Sequence, residues 1–282
     1  MFKENNGLFH KRECAFPFFY DKKHMKKLLL LISAVSLFFL SCGDKKSEDS
    51  GTENANKEEI IFQTSDGLNI SGEYFSSREK SENKKPLVIL IHQFNSVKEQ
   101  WSDKLIGSLV NSGFSVLRYD IRSHGKSDKA KVPVQELLSD MQQAPKDLEA
   151  VIKWARNKED IDPSRIGIAG TSIGAALAMN GSYYLGVKSF VAISLGKYTY
   201  EKLTGNYEEL LGAKVIPRVA NGMLICGTKD GNYAKESQVI FDNYLMEPKE
   251  YKQFESDKHG KDLIADFPGI NDLILEWFKN HL

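Results

Sequence analysis

Cysteine is scarce in this chain, three in 282 residues. Three thiols cannot build the disulfide framework of a small secreted scaffold, nor a four-cysteine zinc cluster. One sign of charge is missing as well: 38 Lys and Arg balance 38 Asp and Glu. That balance argues against a nucleic-acid binder, which needs a basic excess or patch. No apolar run reaches the roughly 20 residues of a comfortable membrane span. The longest begins at Leu28 and ends at Leu40. With these classes set aside, the composition fits a chain of one or two domains with a full core.

The apolar run from Leu28 to Leu40 follows Lys26-Lys27 and precedes Ser41-Cys42. A charged segment before a short apolar one fits a secretory signal. The Leu40-Ser41-Cys42-Gly43 ending resembles a bacterial lipobox, and that resemblance implies cleavage before Cys42 and lipidation of its thiol. Phe39 and Leu40 depart from the usual pattern, so a plain secretory signal with an incidental cysteine is the alternative. Met1 to His24 carries mixed charges and aromatics ahead of the signal, and Met25 is the expected start of translation, with a genuine N-terminal extension as the alternative. Gly43 to Lys57 has no apolar residue larger than Ala and reads as a flexible tether. The expected organisation is a leader over 1–41, a lipidated cysteine and tether over 42–58, and a folded domain over 59–282. The expected location is the bacterial cell envelope, held by the lipid and facing the periplasm or the outside, or otherwise secretion.

The folded part alternates. Ile60–Phe62 and Ile70–Phe75 flank an Asp66-Gly67 turn, a hairpin signal. Leu87–Ile91 is a continuous apolar run, as expected for a strand covered on both faces. Ser96 and Glu99 have the spacing of a capping box, predicting a helix through Asn111. Phe114–Tyr119 is the next strand, and Leu148, Val151, Ile152 and Ala155 mark a helix with Pro145 in its first turn. Strands follow at Ile166–Ala169, Phe190–Ile193, Met223–Cys226 and Tyr251–Phe254, with helices at Gln238–Leu245 and around Ile270, Ile274 and Trp277. This predicts an α/β fold: a mostly parallel central sheet, helices on both faces and an antiparallel N-terminal hairpin. Ligands of such sheets sit beyond the carboxyl ends of the strands.

Gly170-Thr171-Ser172-Ile173-Gly174 lies between the strand Ile166–Ala169 and the small-residue stretch Ala175–Met179. A strand, a sharp turn and a helix with serine at the apex expose the hydroxyl as a candidate nucleophile. Asp230 follows the strand ending at Cys226, with Glu236 as a weaker alternative acid, and His259 lies between the last strand and the last helix. A carboxylate there can orient the imidazole, and the imidazole can take the serine proton. Cys226 itself reads as a small buried hydrophobe.

In the order serine, acid, histidine, the chain from about Glu59 to Leu282 resembles the α/β-hydrolase superfamily, with likenesses to dienelactone hydrolases and carboxylesterases. The dienelactone hydrolases usually carry a cysteine nucleophile where this chain has Ser172. The resemblance implies the catalytic set Ser172, Asp230 and His259. It also implies an oxyanion hole of backbone N–H groups from Ile173 and from the loop His92-Gln93-Phe94-Asn95, with Phe94 as donor. Gln93 stands where relatives usually have Gly and is itself a possible contributor. Asp120-Ile121-Arg122-Ser123-His124-Gly125-Lys126-Ser127 resembles the superfamily's D-x-R-x-H-G-x-S loop, a structural element. Only Ser194 to Asn221 separates two core strands, which predicts a small cap, one helix near Tyr200 to Leu211, and an open pocket. No cofactor and no metal are expected. The expected activity is hydrolysis of carboxylic esters or thioesters of a small-molecule acyl substrate through an acyl-serine. The alternatives are a peptidase or amidase on the same triad, and a lipid-anchored binding protein without turnover.

Overall fold

The computed structural model describes residues 51–78, 83–129, 131–133, 136, 143–203 and 218–282. The leader, Cys42 and most of the expected tether lie outside them. Eight strands form one sheet: β1 (Ala55–Gln63), β2 (Asn69–Ser77), β3 (Lys85–Ile91), β4 (Ser115–Tyr119), β5 (Ile161–Thr171), β6 (Ser189–Ile193), β7 (Val219–Gly227) and β8 (Leu245–Phe254). Their order is β1-β2-β4-β3-β5-β6-β7-β8. β1 and β2 pair antiparallel, as do β2 and β4, and every later pairing is parallel. This is the α/β arrangement that the alternating pattern predicts.

The continuous apolar run of β3 has a direct explanation. Leu87, Ile89 and Ile91 face one hydrophobic cluster, and Val88 and Leu90 face the other. Alternate side chains of a strand point to opposite faces. Two layers of helix therefore require apolar residues at both. On one face pack α2 (Ala144–Asn157) and α3 (Ile173–Tyr184), through Leu148, Val151 and Leu177 among others. On the other pack α1 (Asp103–Asn111) and the last helix, α6 (Ile270–His281), through Leu105, Leu109, Ile274 and Phe278. Between them in sequence come α4 (Gly231–Asn243) and α5 (Lys261–Asp266).

Several boundaries differ from the sequence reading. β1 starts at Ala55, so residues 55–58 belong to the sheet and not to a tether. Their polar side chains are mostly exposed on an edge strand, which composition alone cannot tell from a linker. The helix expected from Ser96 is instead a 3-10 turn at Lys98–Gln100 followed by α1, whose N-cap is Ser102. The Ser102 hydroxyl accepts from the Leu105 N–H at 3.3 Å. Trp101, 1% exposed, breaks the helical path by turning into the core. Between β6 and β7, residues 197–203 are helical, so the cap helix begins before Tyr200. The remainder of the expected cap lies outside the described residues. Among the described residues, no helix is long and apolar enough to cross a membrane.

Candidate active site

Ser172, Asp230, His259 and the loop 92–95 each lie just past the carboxyl end of a strand. Ser172 follows β5, the loop 92–95 follows β3, Asp230 follows β7 and His259 follows β8.

The turn at Ser172 is set by its neighbours. Ser172 has φ 53° and ψ −114°, a left-handed conformation that L residues avoid. Its N–H donates to the Ile193 carbonyl at 2.9 Å, extending the β5–β6 pairing beyond the strand. The two flanking glycines are needed for lack of space. A Cβ at Gly170 would stand 2.0 Å from the Gly174 carbonyl oxygen, and one at Gly174 would stand 2.4 Å from the Ile91 carbonyl oxygen. The strand and helix can approach this closely only without side chains there.

Asp230 and His259 meet. Both carboxylate oxygens of Asp230 lie 3.0 Å from His259 Nδ1. An Nδ1–H donating to that carboxylate leaves Nε2 with its lone pair, the tautomer a general base requires. Asp230 is 5% exposed. Beneath it the Cys226 thiol donates to Oδ2 at 3.7 Å, and burial pushes that thiol up to about 12. The cysteine is thus a buried filler whose thiol bonds weakly to its surroundings.

Tyr233, in the first turn of α4, was not foreseen. Its ring centroid lies 4.3 Å from that of His259, tilted by 49°. Burial raises its phenol above the ordinary tyrosine range, and interaction with the Ser172 hydroxyl partly offsets this. Among the described residues, no hydrogen bond joins Ser172 to His259. Nothing in the sequence pointed to Tyr233, because a tyrosine near a helix start has no distinguishing pattern.

The loop after β3 supplies one uncommitted donor. Among the described residues, the Phe94 N–H has no protein acceptor. Ile173 opens α3, so its N–H has no intrahelical acceptor either. Gln93, the other expected backbone contributor, is engaged within the protein. Its N–H already donates to Gln100 Oε1 at 3.1 Å, and its side chain faces the loop after His259.

His92 and His124 hold the loops beneath. His92 Nε2 accepts from the Ile121 N–H at 2.9 Å, and Nδ1 then donates to the Gln93 carbonyl at 2.7 Å. His124 Nε2 accepts from the Asn95 N–H at 3.1 Å. Burial depresses His92 to about 4. The unfolded chain takes up this proton near pH 6.5 and the folded one near 4, so the unfolded state binds more protons between those values. Folding stability should therefore fall as pH drops from about 6.5 to 4, by on the order of 3 kcal/mol from this residue. Urea unfolding at pH 7, 5.5 and 4 measures it. A flat midpoint across that range rules the effect out.

Among the described residues, no cluster of three or more His, Cys, Asp or Glu is placed to hold a metal ion.

The fold and the serine elbow define a class. Residues 82–189 match the family model described as serine aminopeptidase, S33, and the fold is that of the α/β hydrolases among solved structures. It is similar to an uncharacterised 31.7 kDa protein of the traX-finO intergenic region of Escherichia coli, 35% identical over 32% of this chain and 30% of that protein. It is also similar to the thiohydrolase aneE of Aspergillus aculeatus, 30% identical over 45% of this chain and 37% of that protein. The chain thus spans under half the length of these curated relatives. Among solved structures, the esterase Pf2001 of Pyrococcus furiosus superposes with a TM-score of 0.62 at 21% identity, covering 80% of this chain and 93% of that one.

Proposed function

We propose that this protein is a serine hydrolase of carboxylic esters or thioesters, acting through an acyl-Ser172 intermediate. The observation that carries the reading is the Asp230–His259 pair at 3.0 Å, with Tyr233 against the His259 ring and interacting with the hydroxyl of Ser172, a serine held at φ 53°. In this reading the Ser172 hydroxyl turns from Tyr233 toward His259 Nε2 and gives up its proton as Oγ attacks the acyl carbon. Asp230 stabilises the imidazolium that forms. The oxyanion of the tetrahedral intermediate is received by the N–H groups of Phe94 and Ile173, and such donors are worth about 3–4 kcal/mol each in other serine hydrolases. His259 then protonates the departing alkoxide or thiolate. Water, deprotonated by the same imidazole, releases the acid and restores the serine.

The names of two similar proteins, a thiohydrolase and an esterase, favour acyl–oxygen and acyl–sulfur bonds. The family description, an aminopeptidase, favours a second reading in which the same triad cleaves amides. The anchoring of the chain through Cys42 is part of the proposal and is supported by the Leu40-Ser41-Cys42 segment alone.

A fluorophosphonate probe on the full chain, with the adduct mapped, should modify Ser172. Esters and thioesters of p-nitrophenol and p-nitrothiophenol should then turn over at least about tenfold faster than aminoacyl p-nitroanilides, about 1.4 kcal/mol in barrier. Preference for the anilides selects the peptidase. Absence of an adduct selects a binding protein that keeps the fold without turnover.

A further inference from the structure

Gln93 stands where the resemblance implies a glycine, and its side-chain oxygen and its backbone N–H each join a hydrogen bond across the site. The Lys261 N–H donates to Gln93 Oε1 at 2.8 Å. The Gln93 N–H donates to Gln100 Oε1 at 3.1 Å. Gln100 Nε2 donates to Thr171 Oγ1 at 2.7 Å. Each amide can face only one way. Gln93 must turn its carbonyl to one backbone N–H, and Gln100 must turn its carbonyl to another, which directs the Gln100 NH2 group at Thr171.

The three loops joined in this way carry the chemistry. Lys261 lies two residues after His259, Thr171 immediately precedes Ser172, and Gln93 immediately precedes Phe94. Space is kept for the contact. Gly260 has φ +55°, and a Cβ there would stand 2.1 Å from Gln93 Oε1. The Gly260 N–H donates to Ser194 Oγ at 2.9 Å, a second tie on the same turn. A glycine at 93 would leave the Lys261 N–H, at the start of α5, without this acceptor.

We propose that Gln93 is a positioning residue for the acyl transfer: its amide oxygen fixes the His259 loop against the oxyanion loop, which the Gln93 backbone N–H in turn ties through Gln100 to the elbow. The proposal rests on the triad reading given above. A base displaced by about 1 Å loses on the order of a hundredfold in rate even when nothing else changes. The Gln93 side chain reaches the reacting atoms only through Lys261 and the loop it anchors.

The test compares Gln93→Leu, which keeps the bulk and cannot accept, with Gln93→Glu, which still accepts. Amide hydrogen exchange at Lys261 should accelerate at least about tenfold in the Leu variant and stay near wild type in the Glu variant, as expected when a protecting bond opens locally. With a p-nitrophenyl ester, the Leu variant should lose about 10- to 100-fold in kcat with KM within about threefold. The Glu variant should retain kcat within about fivefold, and its acid limb should move to higher pH, because a carboxylate near His259 favours the imidazolium. Unchanged Lys261 exchange in the Leu variant overturns the proposal. So does an equal kcat loss in both variants, or a loss carried entirely by KM. If the wild-type protein neither takes the phosphonate at Ser172 nor turns over any ester, the hydrolase reading has failed. The catalytic part of the proposal then falls with it, and exchange at Lys261 alone decides whether the tie exists.

Discussion

Ser172→Ala should lower ester turnover by a factor on the order of 10⁴ to 10⁶ and abolish phosphonate labelling. The range is wide because backbone donors and binding still accelerate some water attack when a triad member is missing. The fold should be unaffected. Alanine has the same Cβ as serine, so the backbone at φ 53° is neither relieved nor strained further. The Ser172 N–H bond to Ile193 is a backbone bond and survives the change. Ser172→Gly separates reactivity from strain. Glycine tolerates this conformation without penalty, while non-glycine residues in such regions carry about 1–3 kcal/mol of strain. Offset by the greater unfolded-state freedom of glycine, the variant should be inactive yet more stable than wild type by about 1 kcal/mol. Urea unfolding beside a p-nitrophenyl ester assay measures both effects. More than a tenth of wild-type turnover in the alanine variant would sink the assignment of the nucleophile.

The largest effect on stability is expected from Asp120→Ala. Asp120 is fully buried, and its Oδ2 accepts from Lys98 Nζ at 2.9 Å, itself only 2% exposed at the side chain. Its carboxylate also accepts the Lys98 N–H at 2.8 Å and the Lys126 N–H at 3.0 Å. Burial pushes the carboxyl up, but Lys98 and these two N–H groups outweigh it and hold it below the ordinary carboxylate value. Removing the carboxylate leaves a buried ammonium with Glu99, on the exposed side, as its remaining ionic partner. It also leaves two backbone donors without acceptors. Breaking one half of a buried pair costs about 3–5 kcal/mol, or a fall in Tm of roughly 10 °C for a domain this size. Replacing both partners, as in Asp120→Ala with Lys98→Met, should recover part of the loss. A single variant within about 1 kcal/mol of wild type would mean that water reaches Lys98 and the pair carries little.

The parts of this molecule that were legible in its sequence are those governed by local rules. The two-faced run at Leu87–Ile91, the hairpin turn at Asp66-Gly67 and the small residues around Ser172 each state their surroundings directly. Asp120 to Ser127 read as structural, and its Asp120, Arg122, His124 and Ser127 do bind the chain to itself. Asp230 and His259 were legible from chain order and strand position, and the structure brings them into contact. What could not be read depends on distant partners. The helix start moved from Ser96 to Ser102 because Lys98 is drawn to Asp120 and Trp101 to the core. The use of the Gln93 N–H by Gln100, and the approach of Tyr233 to His259, are meetings of side chains that no spacing encodes.

Cys226 lies at the end of β7, shielded from solvent and pressed beneath the Asp230 carboxylate. Reagents that attack sulfur need a thiolate and a path, and the native domain offers neither at this position. Alkylation there reports how often the sheet comes apart around its acidic loop. The molecule thereby carries its own unfolding label, silent while the site is assembled and readable once it is not.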